Sequence, residues 1–314
     1  MTNLYLVLPC YNEEEILPWT TETLTAKMEA LLAAGKIAPE SRIVFVDDGS
    51  RDRTWELIRE AYDQNPWVLG IKLNRNRGHQ NALLCGLMTV YEDADAVISM
   101  DADLQDDIDA IDAMLDKYEA GADVVYGVRA ARDTDTFFKR FTAEEYYRIL
   151  KRLGAKVIFN HADFRLMSRR ALEALSEYKE VNLFLRGLVP MVGYTSDTVL
   201  YDRKERTAGE SKYPLKKMLS LAWEGVTALS VRPIRMVTAA GVISLLISFG
   251  IIIYAIVSLC IGAALPGWTS LMVSIWLLGG LQLLAMGVVG EYIGKIYLES
   301  KHRPRFKVEL FLKK

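Results

Sequence analysis

Ala96-Val97-Ile98-Ser99-Met100-Asp101-Ala102-Asp103-Leu104-Gln105-Asp106 passes from an apolar, strand-like run straight into carboxylates. Four more short apolar runs share the first half of the chain: Leu4–Leu8, Ile43–Val46, Val68–Leu73 and Val124–Tyr126. Between these runs lie stretches with helical spacing, Glu14–Ala34, Arg53–Asp63, Gln80–Tyr91 and Asp107–Glu119, with Asp52 and Asp106 as predicted N-caps. Strands alternating with helices of that length predict βαβ units and an α/β, Rossmann-like, mainly parallel sheet. In such sheets ligands sit at the carboxyl ends of the strands, which directs attention to the residues after each run.

Those residues are polar in every case. Pro9-Cys10-Tyr11-Asn12-Glu13-Glu14-Glu15 follows the first run and Asp47-Asp48-Gly49-Ser50-Arg51-Asp52 the second. Asn74-Arg75-Asn76-Arg77-Gly78-His79, Asp101–Asp106 and Gly127-Val128-Arg129 follow the others. Any one of these is ordinary turn and cap chemistry. Five of them gathered at one sheet edge exceed what turns require.

Asp101 and Asp103 are the sharpest signal, because carboxylates spaced i and i+2 can approach one point once the extended backbone turns. Mg²⁺ or Mn²⁺ takes oxygen ligands and is often shared between one or two carboxylates and substrate phosphates. Gln105 offers a further carbonyl oxygen. A metal there would offset charge developing on a nucleoside-diphosphate leaving group. The plainer alternative is a solvated acidic turn capping the helix that begins at Asp107.

The second half of the chain has a different character. Met236–Leu265 and Thr269–Gly290 contain no Asp, Glu, Lys or Arg, and only Pro266, Gly267 and Trp268 separate them. About 20 helical residues cross a hydrocarbon core of about 30 Å, so both runs are long enough. Arg232 and Arg235 precede the pair, Lys295, Lys301, Arg303, Arg305, Lys307, Lys313 and Lys314 follow it, and the linker is uncharged. The positive-inside rule then predicts a transmembrane hairpin with both ends in the cytoplasm. Ahead of it, Leu215, Met218, Leu219, Ala222, Trp223 and Val226 fall at helical spacing beside a basic stretch, which reads as an interfacial amphipathic helix. The N-terminus lacks the basic region and long apolar core of a signal peptide. A formal net charge of −2 over 314 residues argues against bulk nucleic-acid binding. Cys10, Cys85 and Cys260 are scattered without metal-ligand spacing or a disulfide framework, in keeping with a reducing compartment.

The wider wording narrows the choice. Pro9–Glu14, Val46–Thr54, Asn76-Arg77-Gly78 and Asp101–Asp106 occur in this order, followed by Gly127-Val128-Arg129, Ala162–Arg169 and Arg206–Lys212. Together they resemble the family 2 glycosyltransferases of GT-A fold. Within these the resemblance is nearer to polyprenyl-phosphate sugar transferases, the group of dolichol-phosphate mannose synthase and bactoprenol glucosyltransferase. It covers nearly the whole chain. It implies a cytoplasmic GT-A domain over 1–213, a juxtamembrane amphipathic helix over 214–232, a transmembrane hairpin over 233–292 and a basic cytoplasmic tail over 293–314.

The resemblance also implies roles. Pro9, Tyr11, Glu13, Asp48 and Asp101 would hold the nucleotide, with Asp48 accepting hydrogen bonds from the base. Asp101, Asp103 and Gln105 would bind Mg²⁺ or Mn²⁺, while Arg129, Arg206 and Lys212 would grip the phosphates of donor and acceptor. Where family members often carry two prolines after the acidic stretch, this chain has Asp106-Asp107-Ile108, which leaves the metal ligands in place. Asp163 is the base that the family leads one to expect. A phosphate monoester has a second pKa near 6 and is largely dianionic at neutral pH, so such an acceptor hardly needs a base. Asp163 therefore stands as a base, as a group orienting the acceptor through Arg165, or as a structural ion pair with Arg165 or Arg169.

The implied reaction is inverting transfer of a hexose to undecaprenyl or another polyprenyl phosphate, for cell-envelope glycosylation at the cytoplasmic membrane. Glucose from UDP-glucose fits best, with UDP-N-acetylglucosamine and GDP-mannose as alternative donors. The implied partners are membrane lipids, a lipid-sugar flippase, a downstream glycosyltransferase and further copies of the chain, with no nucleic acid. A processive polysaccharide synthase would carry Gln-x-x-Arg-Trp, and the chain has no Arg-Trp pair. A non-catalytic membrane subunit that binds nucleotide sugar is the rival from another class. It would be expected to have lost metal or phosphate ligands that this chain retains.

Overall fold

The computed structural model describes residues 1–129, 161–202, 227, 232–260 and 267–314. Strands β1 (Leu4–Cys10), β2 (Arg42–Asp47), β3 (Val68–Leu73) and β4 (Ala96–Ser99) pair in parallel at the centre of an eight-stranded sheet. The sheet continues through β5 (Val124–Arg129), β6 (His161–Ser168), β7 (Ser196–Tyr201) and β8 (Val308–Leu312), in the order β7-β5-β6-β4-β1-β2-β3-β8. Among the described strands only β6 and β8 run against the others. The predicted mainly parallel α/β sheet is thus present.

Continuous apolar strands need cover on both faces. Along β1, Leu4, Leu6 and Leu8 join one core, while Tyr5 and Val7 join the other. Helices α1 (Leu17–Ala33), α2 (Thr54–Gln64) and α4 (Ala110–Glu119) cover the first face through Leu24, Met28, Ile58, Ile111 and Met114. Helices α3 (His79–Val90) and α5 (Arg169–Ser176) cover the second through Leu83, Leu84, Leu87, Leu172 and Leu175.

Two predicted helix starts move inward for identifiable reasons. The first loop is held against the second, with Glu13 N and Glu14 N donating to Thr54 Oγ1 (2.8 Å) and Asp52 Oδ2 (3.2 Å), and α1 begins after it at Leu17. Asp106 does not cap α4. Its carboxylate is buried beneath Tyr201 and Arg129, and the helix starts at Ala110. Asp52 does sit at the head of α2, where it accepts the Thr54 N–H at 3.1 Å.

A short helix α6 (Leu185–Leu188) follows α5 after an irregular segment, and two long helices close the chain, α7 (Arg232–Cys260) and α8 (Trp268–Ser300). Pro233–Ile251 and Leu277–Ser300 are long and apolar enough to cross a membrane, with mean hydropathies of 1.9 and 1.4, and neither window is buried. Leu277 and Leu283 are each 72% exposed, an apolar surface suited to lipid. The predicted amphipathic helix over 214–232 and Pro266 of the linker lie outside the described residues, apart from Thr227 and Arg232.

The stretch 293–314, read from the sequence as a tail, is structured. It holds the end of α8 and β8, which pairs antiparallel with β3 from Gly70 to Leu73. A sheet edge leaves backbone groups unpaired, and β8 satisfies those of β3.

Candidate active site

Because β1 to β5 point the same way, their carboxyl ends, and the loops after β1 to β4, meet at one edge of the sheet. The first two loops are tied to each other. Asn12 N donates to Ser50 Oγ (3.1 Å), Arg51 N to Asn12 Oδ1 (2.9 Å) and Arg53 N to Glu14 Oε2 (3.0 Å). Asp48 ties in the third loop. Its two carboxylate oxygens accept the backbone N–H groups of Arg77 (2.6 Å) and Gly78 (2.9 Å). Burial pushes the Asp48 carboxyl up from its usual range, against the pull of those two N–H donors. Between these loops Gly49 has φ +67°, and a Cβ there would lie 2.6 Å from Asn76 N. Only glycine meets both demands. Next to Asp48, Asp47 is fully buried, with Oδ1 accepting from Ser50 N and Oδ2 lacking a hydrogen-bond partner among the described residues.

The acidic loop after β4 stands beside this cradle. Asp101 and Asp103 are half-buried, and Asp101 Oδ1 lies 3.0 Å from His79 Nε2 at the start of α3. Leu104 takes a positive φ of 45°, which turns the chain back so that Gln105 N donates to Asp103 Oδ1 at 3.3 Å. Gln105 itself is buried. Asp106 then reaches Arg129 at the end of β5. Tyr201 OH donates to Asp106 Oδ1 (2.6 Å), and Arg129 donates to Tyr201 OH (3.2 Å) and to Asp106 Oδ1 (3.3 Å). Burial raises the Asp106 pKa, and Tyr201 and Arg129 work against that rise.

Asp163 comes to the same edge because β6 runs antiparallel, which brings its first residues beside the ends of β4 and β5. Ser99 Oγ on β4 donates to the Asp163 carbonyl. Arg165 Nη2 and Arg186 Nη2 each donate to the Asp163 carboxylate at 2.9 Å. Arg165 is fully buried, and its Nε has no hydrogen-bond partner among the described residues. Burial would raise the Asp163 pKa, but Arg186 and Arg165 outweigh it and hold the carboxyl well below the usual carboxylate range. Of the three readings of Asp163 from the sequence, the ion pair with Arg165 is present.

The structure therefore places Asp48, Asp101, Asp103, Arg129 and Asp163 at one edge, with Pro9 at the buried end of β1, Tyr11 exposed just beyond it and Glu13 in the first loop. Arg206 and Lys212 lie outside the described residues. Sequence reasoning missed Arg186 and Tyr201, each brought in from far along the chain. Among the described residues no group of three or more His, Cys, Asp or Glu side chains could hold a metal ion. Mg²⁺ bound through one or two carboxylates plus substrate phosphates needs no such group, and the half-buried Asp101 and Asp103 supply donors of the right chemistry.

The model of glycosyl transferase family 2 matches residues 5–176. A Bacillus subtilis (strain 168) protein named uncharacterized glycosyltransferase YkoT is 52% identical over 309 residues, covering 98% of this chain and 92% of its own. The bactoprenol glucosyl transferase of Shigella phage SfV is 41% identical over 307 residues, covering 97% of each chain. Mannosyl-3-phosphoglycerate synthase from Rubrobacter xylanophilus shares the fold, with a TM-score of 0.50 at 16% identity over 75% of this chain and 74% of that one. The sheet is that of a GT-A glycosyltransferase, the family model reaches from β1 through α5, and the chain belongs to glycosyl transferase family 2.

Proposed function

We propose that this enzyme transfers a hexose, glucose from UDP-glucose first among the candidates, to undecaprenyl or another polyprenyl phosphate. The observation that carries this reading is the match to a bactoprenol glucosyl transferase over 97% of both chains, apolar C-terminal helices included. A lipid-linked acceptor also gives a reason for joining an α/β enzyme to an exposed apolar hairpin. The reaction is in-line attack by a phosphate oxygen of the lipid on the anomeric carbon. The bond from that carbon to the β-phosphate breaks, the nucleoside diphosphate leaves and configuration inverts.

Little covalent chemistry falls to the protein, so positioning and charge carry catalysis. The loops around Pro9, Tyr11, Glu13 and Asp48 hold the nucleotide. Asp101 and Asp103, with Gln105 behind them, would hold Mg²⁺ or Mn²⁺, which when bound supplies charge stabilisation to the departing diphosphate. Arg129, Arg206 and Lys212 bind phosphates. Asp163 orients the acceptor side through Arg165 and Arg186. A carboxylate held so far below neutrality is a weak base, and a general base works best with a pKa near the operating pH. Both chain ends are cytoplasmic in this reading, supported by the basic flanks and by β8, which returns to the catalytic sheet.

The test incubates purified enzyme and undecaprenyl phosphate with radiolabelled UDP-glucose, UDP-N-acetylglucosamine or GDP-mannose, followed by lipid extraction. Label from UDP-glucose is expected in the organic phase. Label that stays aqueous with every donor overturns the reading.

A further inference from the structure

The uncharged part of α8 ends at Gly290, yet the helix runs on to Ser300 and carries Glu291, Lys295 and Glu299 toward the catalytic domain. Glu299 meets that domain at the irregular segment before α6. Val181 N donates to both Glu299 oxygens at 2.9 Å. Asn182 adds its backbone N–H (2.8 Å) and its side-chain amide (2.9 Å), both to Oε1. Only Leu183 and Phe184 separate this anchor from α6, which carries Arg186. At the head of α6, Leu185 N donates to Gln80 Oε1 at 2.9 Å, and next along the helix Arg186 grips Asp163. A helix this short has little stability of its own: Leu185 and Leu188, buried in the second core, and the hydrogen bonds at its head hold it in place.

We propose that Glu299 is a positioning residue: from the last turn of α8 it fixes the 181–182 backbone, and thereby sets Arg186 against Asp163 for transfer to the lipid acceptor. The inference rests on the polyprenyl-phosphate reading above. Within that reading, it gives the charged end of an otherwise apolar helix a task in catalysis. Misplacing a group at a reacting centre by about 1 Å can cost on the order of 100-fold in rate, so one lost anchor is enough to matter.

The experiment measures transfer to undecaprenyl phosphate in the full-length enzyme, alone and as a double-mutant cycle with Arg186→Lys. Glu299→Ala is expected to lower kcat by about ten-fold or more at saturating donor and acceptor. The donor KM should stay within about two-fold, because among the described residues the hydrogen bonds of Glu299 go to Val181 and Asn182 and not to the loops assigned to the nucleotide. Glu299→Gln, which keeps one acceptor oxygen, should fall between the two. In the Arg186→Lys background, Glu299→Ala should lower kcat by less than about two-fold, because the coupled pair is already broken. If Glu299→Ala does not fold, Glu299→Gln runs the same cycle. An equal loss in both backgrounds, or a loss carried by donor KM alone, overturns the proposal. Wild type that glycosylates no polyprenyl phosphate defeats the functional reading instead, and this inference with it.

Discussion

Asp163 sits between two guanidiniums, and its chemistry follows from that. Its folded-state pKa is depressed, so its stabilising contribution is complete above the unfolded value of 3.8 and is lost only as pH falls through the lower folded value. Across the working range it stays ionised, and its low proton affinity makes it a poor acceptor for a proton. The lipid phosphate, with a second pKa of about 6, is mostly dianionic above about pH 7. Asp163→Asn should therefore cut transfer by a factor that stays flat from about pH 7 to about pH 9. The check is the ratio of wild-type to mutant rates across that range at saturating donor, and a ratio falling toward one at high pH would restore the base. The substitution also leaves the buried Arg165 with a weakened partner. Removing one member of a buried ion pair typically costs about 3–5 kcal/mol, so the shape of the pH profile is more telling than the size of the loss. Asp103 makes the complementary case. Asp103→Ala should abolish transfer with the melting temperature little changed, since this side chain is half-buried and its hydrogen bond from Gln105 N lies within its own loop. EDTA should silence the wild type, and Mg²⁺ or Mn²⁺ should restore it. Full turnover in chelator would remove the metal from the mechanism.

Elements reveal what the sequence carries openly and what it conceals. Strands β1 to β5 are legible because two-sided burial forces unbroken apolar runs, and the helices between them are legible by period. The β6 strand is harder to see, since His161, Asp163 and Arg165 interrupt its apolar pattern; the sequence offers Arg165 as a partner for Asp163, and only the fold buries that arginine fully. Arg186 leaves no signal at all. It lies 23 residues from Asp163 on a one-turn helix, and nothing in its spacing points to that partner. Strand β8 is concealed for a similar reason, because Val308-Glu309-Leu310-Phe311-Leu312 follows a long helix in a basic stretch and becomes a strand only by pairing with β3. That pairing has a measurable value. Truncation after Lys307 strips the β3 edge and removes Leu312 from above Gly70, where its Cδ1 lies 3.3 Å from the position of an added Cβ. The truncated protein should melt at lower temperature and aggregate more readily, as bare sheet edges do. Unchanged melting and solubility would show that β8 contributes nothing to the sheet.

At the scale of the molecule, the proposed hairpin and the sheet constrain each other. Helix α8 has 33 residues, about 50 Å at 1.5 Å per residue, whereas a hydrocarbon core needs about 30 Å. The surplus lies at the charged C-terminal end, where Glu299 and β8 fasten the chain to the catalytic domain. The end of α8 must then lie on the same side as the active site. Arg232 and Arg235, at the start of α7, place a second basic flank there. In the proposed topology Gly267, in an uncharged stretch of sequence, emerges on the opposite face. Single cysteines at Trp268 and at Lys314 test this arrangement. Cys10 and Cys85 are buried and add little background, and Cys260 is replaced by serine. In intact cells a membrane-impermeant thiol reagent should label the Trp268→Cys protein and spare Lys314→Cys, which should react only after the membrane is permeabilised. If both positions stay silent until permeabilisation, α7 and α8 do not carry the chain across, and the apolar hairpin instead lies along the cytoplasmic face or packs against another protein.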